Sequence, residues 1–203
     1  MQSFLSLLLF GILNTTATPI AWNCQPAEWL STPELKNGIF TAALTSECTV
    51  GAPGGRVLNL DQYLLDRVGQ GTTIHEGPIS ETYADLPSIR YDLSMRLEND
   101  GNPVTIRSDV HFATDRKDRF VYASASKDIE ATGTASYLKK VTERVEVTAQ
   151  PESQFRFSVS SSIEVEQPWY APSGAFKSQT TKSFVSNFQS ARDQRVPHWG
   201  EKL

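Results

Sequence analysis

Apolar and polar residues alternate with a period of two through much of this chain. Phe40, Ala42, Leu44, Cys48 and Val50 alternate with Thr41, Thr45, Glu47 and Thr49. Ile89, Tyr91, Leu93, Met95 and Leu97 are set against Arg90, Asp92, Ser94, Arg96 and Glu98. Val104, Ile106, Val110 and Phe112 are set against Thr105, Arg107, Asp109 and His111, and Phe155, Phe157, Val159, Ile163 and Val165 against Arg156, Ser158, Ser160, Ser162 and Glu164. Successive side chains of a strand point to opposite faces, so this pattern predicts an antiparallel sheet with one apolar and one solvated face. Weaker alternation over 72–83, 120–129 and 135–149 predicts further strands. Turn residues at 99–103, 115–119 and 150–153 separate them.

The period changes in two places. After the break at 51–55 (GAPGG), Asn59 can cap a short helix, with Gln62 as its capping-box partner and Leu60, Leu64, Leu65 and Val68 on one face. Later, Pro168 and Pro172 end the last strand because neither can donate to a ladder. Ser173 is a suitable N-cap. Phe176, Thr180, Phe184, Val185 and Phe188 then recur at helical spacing opposite Lys177, Gln179, Lys182 and Gln189, which predicts a helix over 174–193. Residues 22–36, with Trp22, Trp29 and two prolines, show no period and read as an irregular lead-in. No repeat or interdomain linker interrupts the order, so residues 22–203 read as a single α+β domain.

Composition adds little to this picture: 203 residues, 39% hydrophobic, 21% charged, with a net charge of −4. No basic block could neutralise phosphates, so a nucleic-acid partner is not expected. The first residues, MQSFLSLLLFGILNTTATPIAW, carry an apolar run over 4–13, then small polar residues and candidate cleavage points after Ala17 or Ala21. The run is shorter than the ~20 residues that span a bilayer. We read residues 1–21 as a secretory signal peptide, although no Lys or Arg precedes the run; a buried N-terminal helix is the alternative. The mature chain is then secreted or periplasmic, without a transmembrane segment. In such a compartment Cys24 and Cys48, the only two cysteines, are expected to pair rather than remain free thiols. Closing that loop stabilises by roughly 3 kcal/mol in the chain-entropy model.

The last strand and its exit, FRFSVSSSIEVEQPWYAPSGAF, running into KSQTTKSFVSNFQSARDQ, complete an order of strand, short helix, antiparallel strands and long C-terminal helix. This order resembles the helix-grip fold of the START-like superfamily, which includes polyketide cyclases and lipid-transfer proteins. It departs from the family in having one short helix after the first strand where two are common. The resemblance implies a curved antiparallel sheet of about seven strands wrapped around the C-terminal helix, with an apolar cavity between them and a small hydrophobic or lipid-like ligand as partner.

Parity along the strands sorts the residues that could carry chemistry. Tyr91, Met95, Ser108, Phe112 and Ser161 belong to the inner face. In a regular last-but-one strand Tyr137, Lys139 and Glu143 join them. Burying Lys139 or Glu143 alone is costly, so either a bulge turns them to solvent or they sit at a cavity mouth and meet a ligand's polar end. Small residues at 121–126 leave room on both faces of their strand. With Phe176 and Phe184 from the helix, these inner residues are the candidate ligand contacts. Trp169 and Tyr170 are read as a plug for the turn, with a rim as the alternative. Asp109 and His111 read as a surface charge pair. His75, in a weak strand, is expected to have no partner, His198 lies near the C-terminus, and no metal, cofactor or nucleophile motif is present. The expected function is therefore an exported binding protein for a hydrophobic ligand. The alternatives are a cyclase- or hydrolase-type enzyme using Tyr91, Tyr137, Lys139 or Glu143, and a solid-core secreted partner-binding module.

Overall fold

A computed structural model describes residues 21–51, 72–99, 102–115, 118–131, 139–151 and 154–202. All but the last residue of the expected leader lie outside the described residues, as do the short helix expected over 59–68 and Tyr137. The elements run β1 (Trp22–Cys24), β2 (Glu28–Lys36), β3 (Ile39–Gly51), β4 (Thr72–Tyr83), β5 (Leu86–Asn99), β6 (Asn102–Thr114), β7 (Arg119–Ala131), β8 (Lys139–Gln150), β9 (Gln154–Glu166) and α1 (Ser173–Lys202). The nine strands form one antiparallel sheet in the order β1-β3-β9-β8-β7-β6-β5-β4, with β2 beside β3 off this path. The protein is thus α+β: an antiparallel sheet with one long C-terminal helix packed across it, as the order of elements implies.

The alternation explains the layering. In β3 the even positions Phe40, Ala42, Leu44, Ser46, Cys48 and Val50 are all buried. The β3–β9 register sets Phe40 opposite Val165 and Cys48 opposite Phe157, and β8–β9 sets Val147 opposite Phe157, so the apolar sides coincide. Two clusters result on this face. The larger joins Cys48, Val50, Tyr91, Leu93, Val110, Phe112, Phe120, Tyr122, Val145, Val147 and Phe157 with Val196 of the helix. The second joins Phe40, Ala42, Leu44 and Val165 to Phe184 and Phe188. Burying each such aromatic contributes about 1.5–3 kcal/mol, which holds α1 against β3 and β9. A third, small cluster of Leu86, Ala113 and Val121 lies on the outer face.

Three expectations need correcting. The lead-in over 22–36 is two strands, which raises the count from about seven to nine. Its period is hidden because β2 is an edge strand, largely exposed, and its register shifts twice against β3. The signal that marks it is Asn37-Gly38, both at positive φ (51° and 76°), which makes the two-residue hairpin turn into β3. The helix continues to Lys202 rather than ending at 193. Finally, Ser173 is not its cap. The carbonyl of Pro172 accepts the first helical bond from Phe176 N–H, and the Ser173 hydroxyl instead pairs with the Gln167 side chain. Cys24 and Cys48 face each other across β1 and β3 and are disulfide-bonded.

Candidate functional site

A cleft of about 600 Å³ opens between the inner face of β8 and β9 and one side of α1. Its floor is apolar: Val141 and Val145 from β8, Val159, Ile163 and Val165 from β9. This follows from the registers Val141–Ile163 and Val145–Val159, which put these side chains in a continuous band. The helix supplies two adjacent rows at four-residue spacing. Phe176, Thr180, Phe184, Phe188, Arg192 and Val196 form one; Gln179, Ser183, Asn187, Ala191 and Arg195 form the other. The first row carries the phenylalanines that seat the helix on β3 and β9. The second is mostly polar, yet it lines the cleft opposite the valines of β8. Gln179 therefore borders the cleft, where the sequence pattern places it on the solvated side.

One ion pair crosses the cleft. Glu143, opposite Ser161 in the β8–β9 register, receives a charge-assisted hydrogen bond from Arg195 of α1. Burial works against the charge of Arg195, but the charge and hydrogen bond of Glu143 outweigh it, with Tyr122 adding to them, and hold the guanidinium above its ordinary range. β8 pairs with both neighbours without a register shift, so no bulge turns Lys139 or Glu143 to solvent; both line the cleft. Arg192 is fixed from the opposite side. Its Nη1 donates to Gln25 O (3.1 Å) and Ser46 Oγ (3.0 Å), and the Ser46 hydroxyl also donates to Gln25 O (2.8 Å). The residue after the disulfide thus ties the helical wall to the β1–β3 edge.

The structure gathers some of the expected contacts and scatters others. Lys139, Glu143, Ser161, Phe176 and Phe184 line the cleft. Tyr91 and Phe112 are instead packed edge to face, ring centroids 6.3 Å apart, inside the larger core cluster. Met95 and Ser108 stand on β5 and β6, beyond β7 from the cleft. Sequence reasoning did not single out Arg192, Arg195, Ser183 or Asn187. The four-residue repeat of polar residues beside the phenylalanine row was the available signal.

Outside the cleft, His111 is less exposed than parity implies. Its Nδ1 lies 2.8 Å from Glu81 Oε1, its ring stacks on Tyr83 at 4.7 Å, and its side chain is only 19% exposed. Asp109 pairs with Arg90, not with His111. The small residues of β7 divide between faces: Val121 and Ala123 are buried on the outer side, while Ser124 is buried opposite Glu143 on the inner side. Among the described residues no group of three or more His, Cys, Asp or Glu side chains could hold a metal.

At the mouth of the cleft stand Lys139, Glu166, Pro168, Tyr170 and Ala171. Trp169 is 91% exposed and Tyr170 61%, so these aromatics do not plug the turn. Their rings meet edge to face at 5.7 Å.

No protein-family model matches the sequence, and no curated protein matches it. Among solved structures, the chain is similar to human STARD10, with 9% identity and a TM-score of 0.32, over 90% of this chain and 80% of that one. It is also similar to human StAR-related lipid transfer protein 5, with 13% identity and a TM-score of 0.29, over 82% of this chain and 86% of that one. At these values the likeness carries no argument about function.

Proposed function

We propose that this chain is an exported, non-enzymatic binding protein that holds a small hydrophobic or lipid-like ligand between β8, β9 and the C-terminal helix. The observation that carries this reading is the mismatch across the cleft. A helix that only covered a sheet would turn apolar side chains toward Val141 and Val145. Here Gln179, Ser183 and Asn187 border the cleft, and some 600 Å³ separates the surfaces. An apolar floor with a few convergent polar groups is the ordinary make-up of a small-molecule site. An acyl or ring portion would lie along the valines and Ile163. The Glu143–Arg195 pair, with Ser161 beside it, would meet the polar end, offering both an acceptor and donors.

The catalytic alternative finds less support. Tyr91 is packed in the core away from the cleft, and the carboxylate of Glu143 is engaged by Arg195.

Titration with a fluorescent fatty-acyl probe tests the reading. The wild type binds the probe saturably. Val159→Trp, which fills the floor, weakens binding by about tenfold or more while the unfolding midpoint stays close to wild type. Equal binding by a folded Val159→Trp protein would place the ligand elsewhere.

A further inference from the structure

We infer that the turn between β9 and α1 is a membrane-docking tip, and that Trp169 and Tyr170 insert into the interfacial layer of a lipid bilayer so that ligand passes between the bilayer and the cleft. The inference rests on the ligand-binding reading above and adds a partner to it. Among the described residues, Trp169 is the most exposed of the large hydrophobic side chains, and Tyr170 beside it also lines the cleft mouth. Trp and Tyr combine an apolar ring with a polar handle, which suits them to the boundary between headgroups and acyl chains.

The turn holds this pair outward. Gln167 N–H donates to Gly38 O at 2.7 Å, anchoring the end of β9 to the β2–β3 turn. Ala171 N–H donates to Pro168 O at 2.9 Å and closes the loop beneath the two rings. The Gln167 side chain donates to Ala171 O at 2.6 Å and to the Ser173 hydroxyl at 3.0 Å. Pro168 and Pro172 restrict the backbone on either side. A pair fixed in this way loses little conformational freedom on insertion, so more of its burial energy appears as binding. The charges nearby suit a lipid surface as well. Lys139 stands at the same mouth beside the exposed Glu166, Lys177 follows in the exposed first turns of the helix, and that first turn carries no acidic residue, so the two lysines outnumber the one carboxylate near the tip. Of the described helices, none is long and apolar enough to cross a membrane, so the contact would be peripheral.

Flotation with phosphatidylcholine vesicles, with and without phosphatidylglycerol, tests this directly. The wild type floats with vesicles of both kinds, more with the anionic ones. Trp169→Ser, at a residue that does not line the cleft, loses vesicle binding by about tenfold or more, yet binds the fluorescent acyl probe in solution as the wild type does. Equal flotation of the two proteins would overturn the docking proposal, as would failure of the wild type to float. So would loss, in the variant, of a wild-type dimer seen by sedimentation without vesicles, because the pair would then be a contact between copies. If neither protein binds the probe but flotation still depends on Trp169, docking stands and the ligand reading fails.

Discussion

At the scale of single residues, two positions are informative because their surroundings leave few choices. Gly77 has φ +131°, and a Cβ there would come within 2.7 Å of Tyr91 Cδ1 and 3.0 Å of Arg90 O. Gly77→Ala should therefore destabilise by about 1–3 kcal/mol, read as a lower denaturant midpoint. An unchanged midpoint would mean that the irregular β4–β5 pairing shifts to make room. The second position is the Glu143–Arg195 pair, whose side chains are 23% and 36% exposed. Removing one partner alone, as in Arg195→Met, should cost roughly 1–2 kcal/mol, between a surface pair and a fully buried one. The double variant Glu143→Gln/Arg195→Met should recover part of that loss, because no charge is then left uncompensated. A double variant less stable than either single one would show that the two residues act separately.

At the scale of elements, the sheet is held by strand pairing and pinned at two points. The Cys24–Cys48 bond fastens β1 to β3. Reducing it should lower stability by roughly 3 kcal/mol in the chain-entropy model, and the unreduced protein should be lighter than the reduced one by about the mass of the two hydrogen atoms lost when two thiols are oxidised to a disulfide. On β7 and β8, at nearly the same level along the strands as Cys48, Arg119 Nε lies 2.7 Å from Glu146 and Arg144 Nη2 3.0 Å from it. Burial alone would raise the Glu146 carboxyl, but hydrogen bonds from Arg119 and Arg144 prevail and hold it below its ordinary value of 4.5. A carboxyl depressed in the folded state adds stability that is present above its unfolded value and lost as pH falls through the folded one. The midpoint of unfolding should thus drop as pH goes below 4.5, and less steeply in Glu146→Gln. Parallel profiles for the two proteins would remove Glu146 from the account.

The elements also show what could be read in advance. β3, β5, β6 and β9 were legible because each has one buried and one solvated face, which writes a period of two. β1 and β2 were not, because β2 is largely exposed and shifted in register, so no alternation marks it; only Asn37-Gly38 did. The helix was legible from Phe176, Phe184 and Phe188. Of its second row, Gln179 read as solvated surface and Ser183 and Asn187 drew no notice, because polarity alone does not distinguish a residue facing bulk water from one facing a cleft. The site was only partly legible for the same reason. Strand parity put Tyr91 and Lys139 on the same face, but which inner residues lie under the helix depends on where α1 crosses the sheet. That crossing is set by contacts such as Trp29 with Phe184 and Arg192 with Gln25, between residues far apart in sequence.

At the scale of the whole molecule, the helix is seated along one side and stands off along the other. Its phenylalanine row closes on β2, β3 and β9, and its polar row leaves a volume over β8. The account treats that volume as a ligand site whose opening lies beside Trp169 and Tyr170. The most direct test is organic extraction of protein purified from its native host, followed by mass spectrometry, beside the Val159→Trp variant made in the same host. The account predicts one class of amphiphile at about one molecule per chain in the wild type, and little or none in the folded variant. An empty wild type, or the same lipid in equal amount from both proteins, would contradict it.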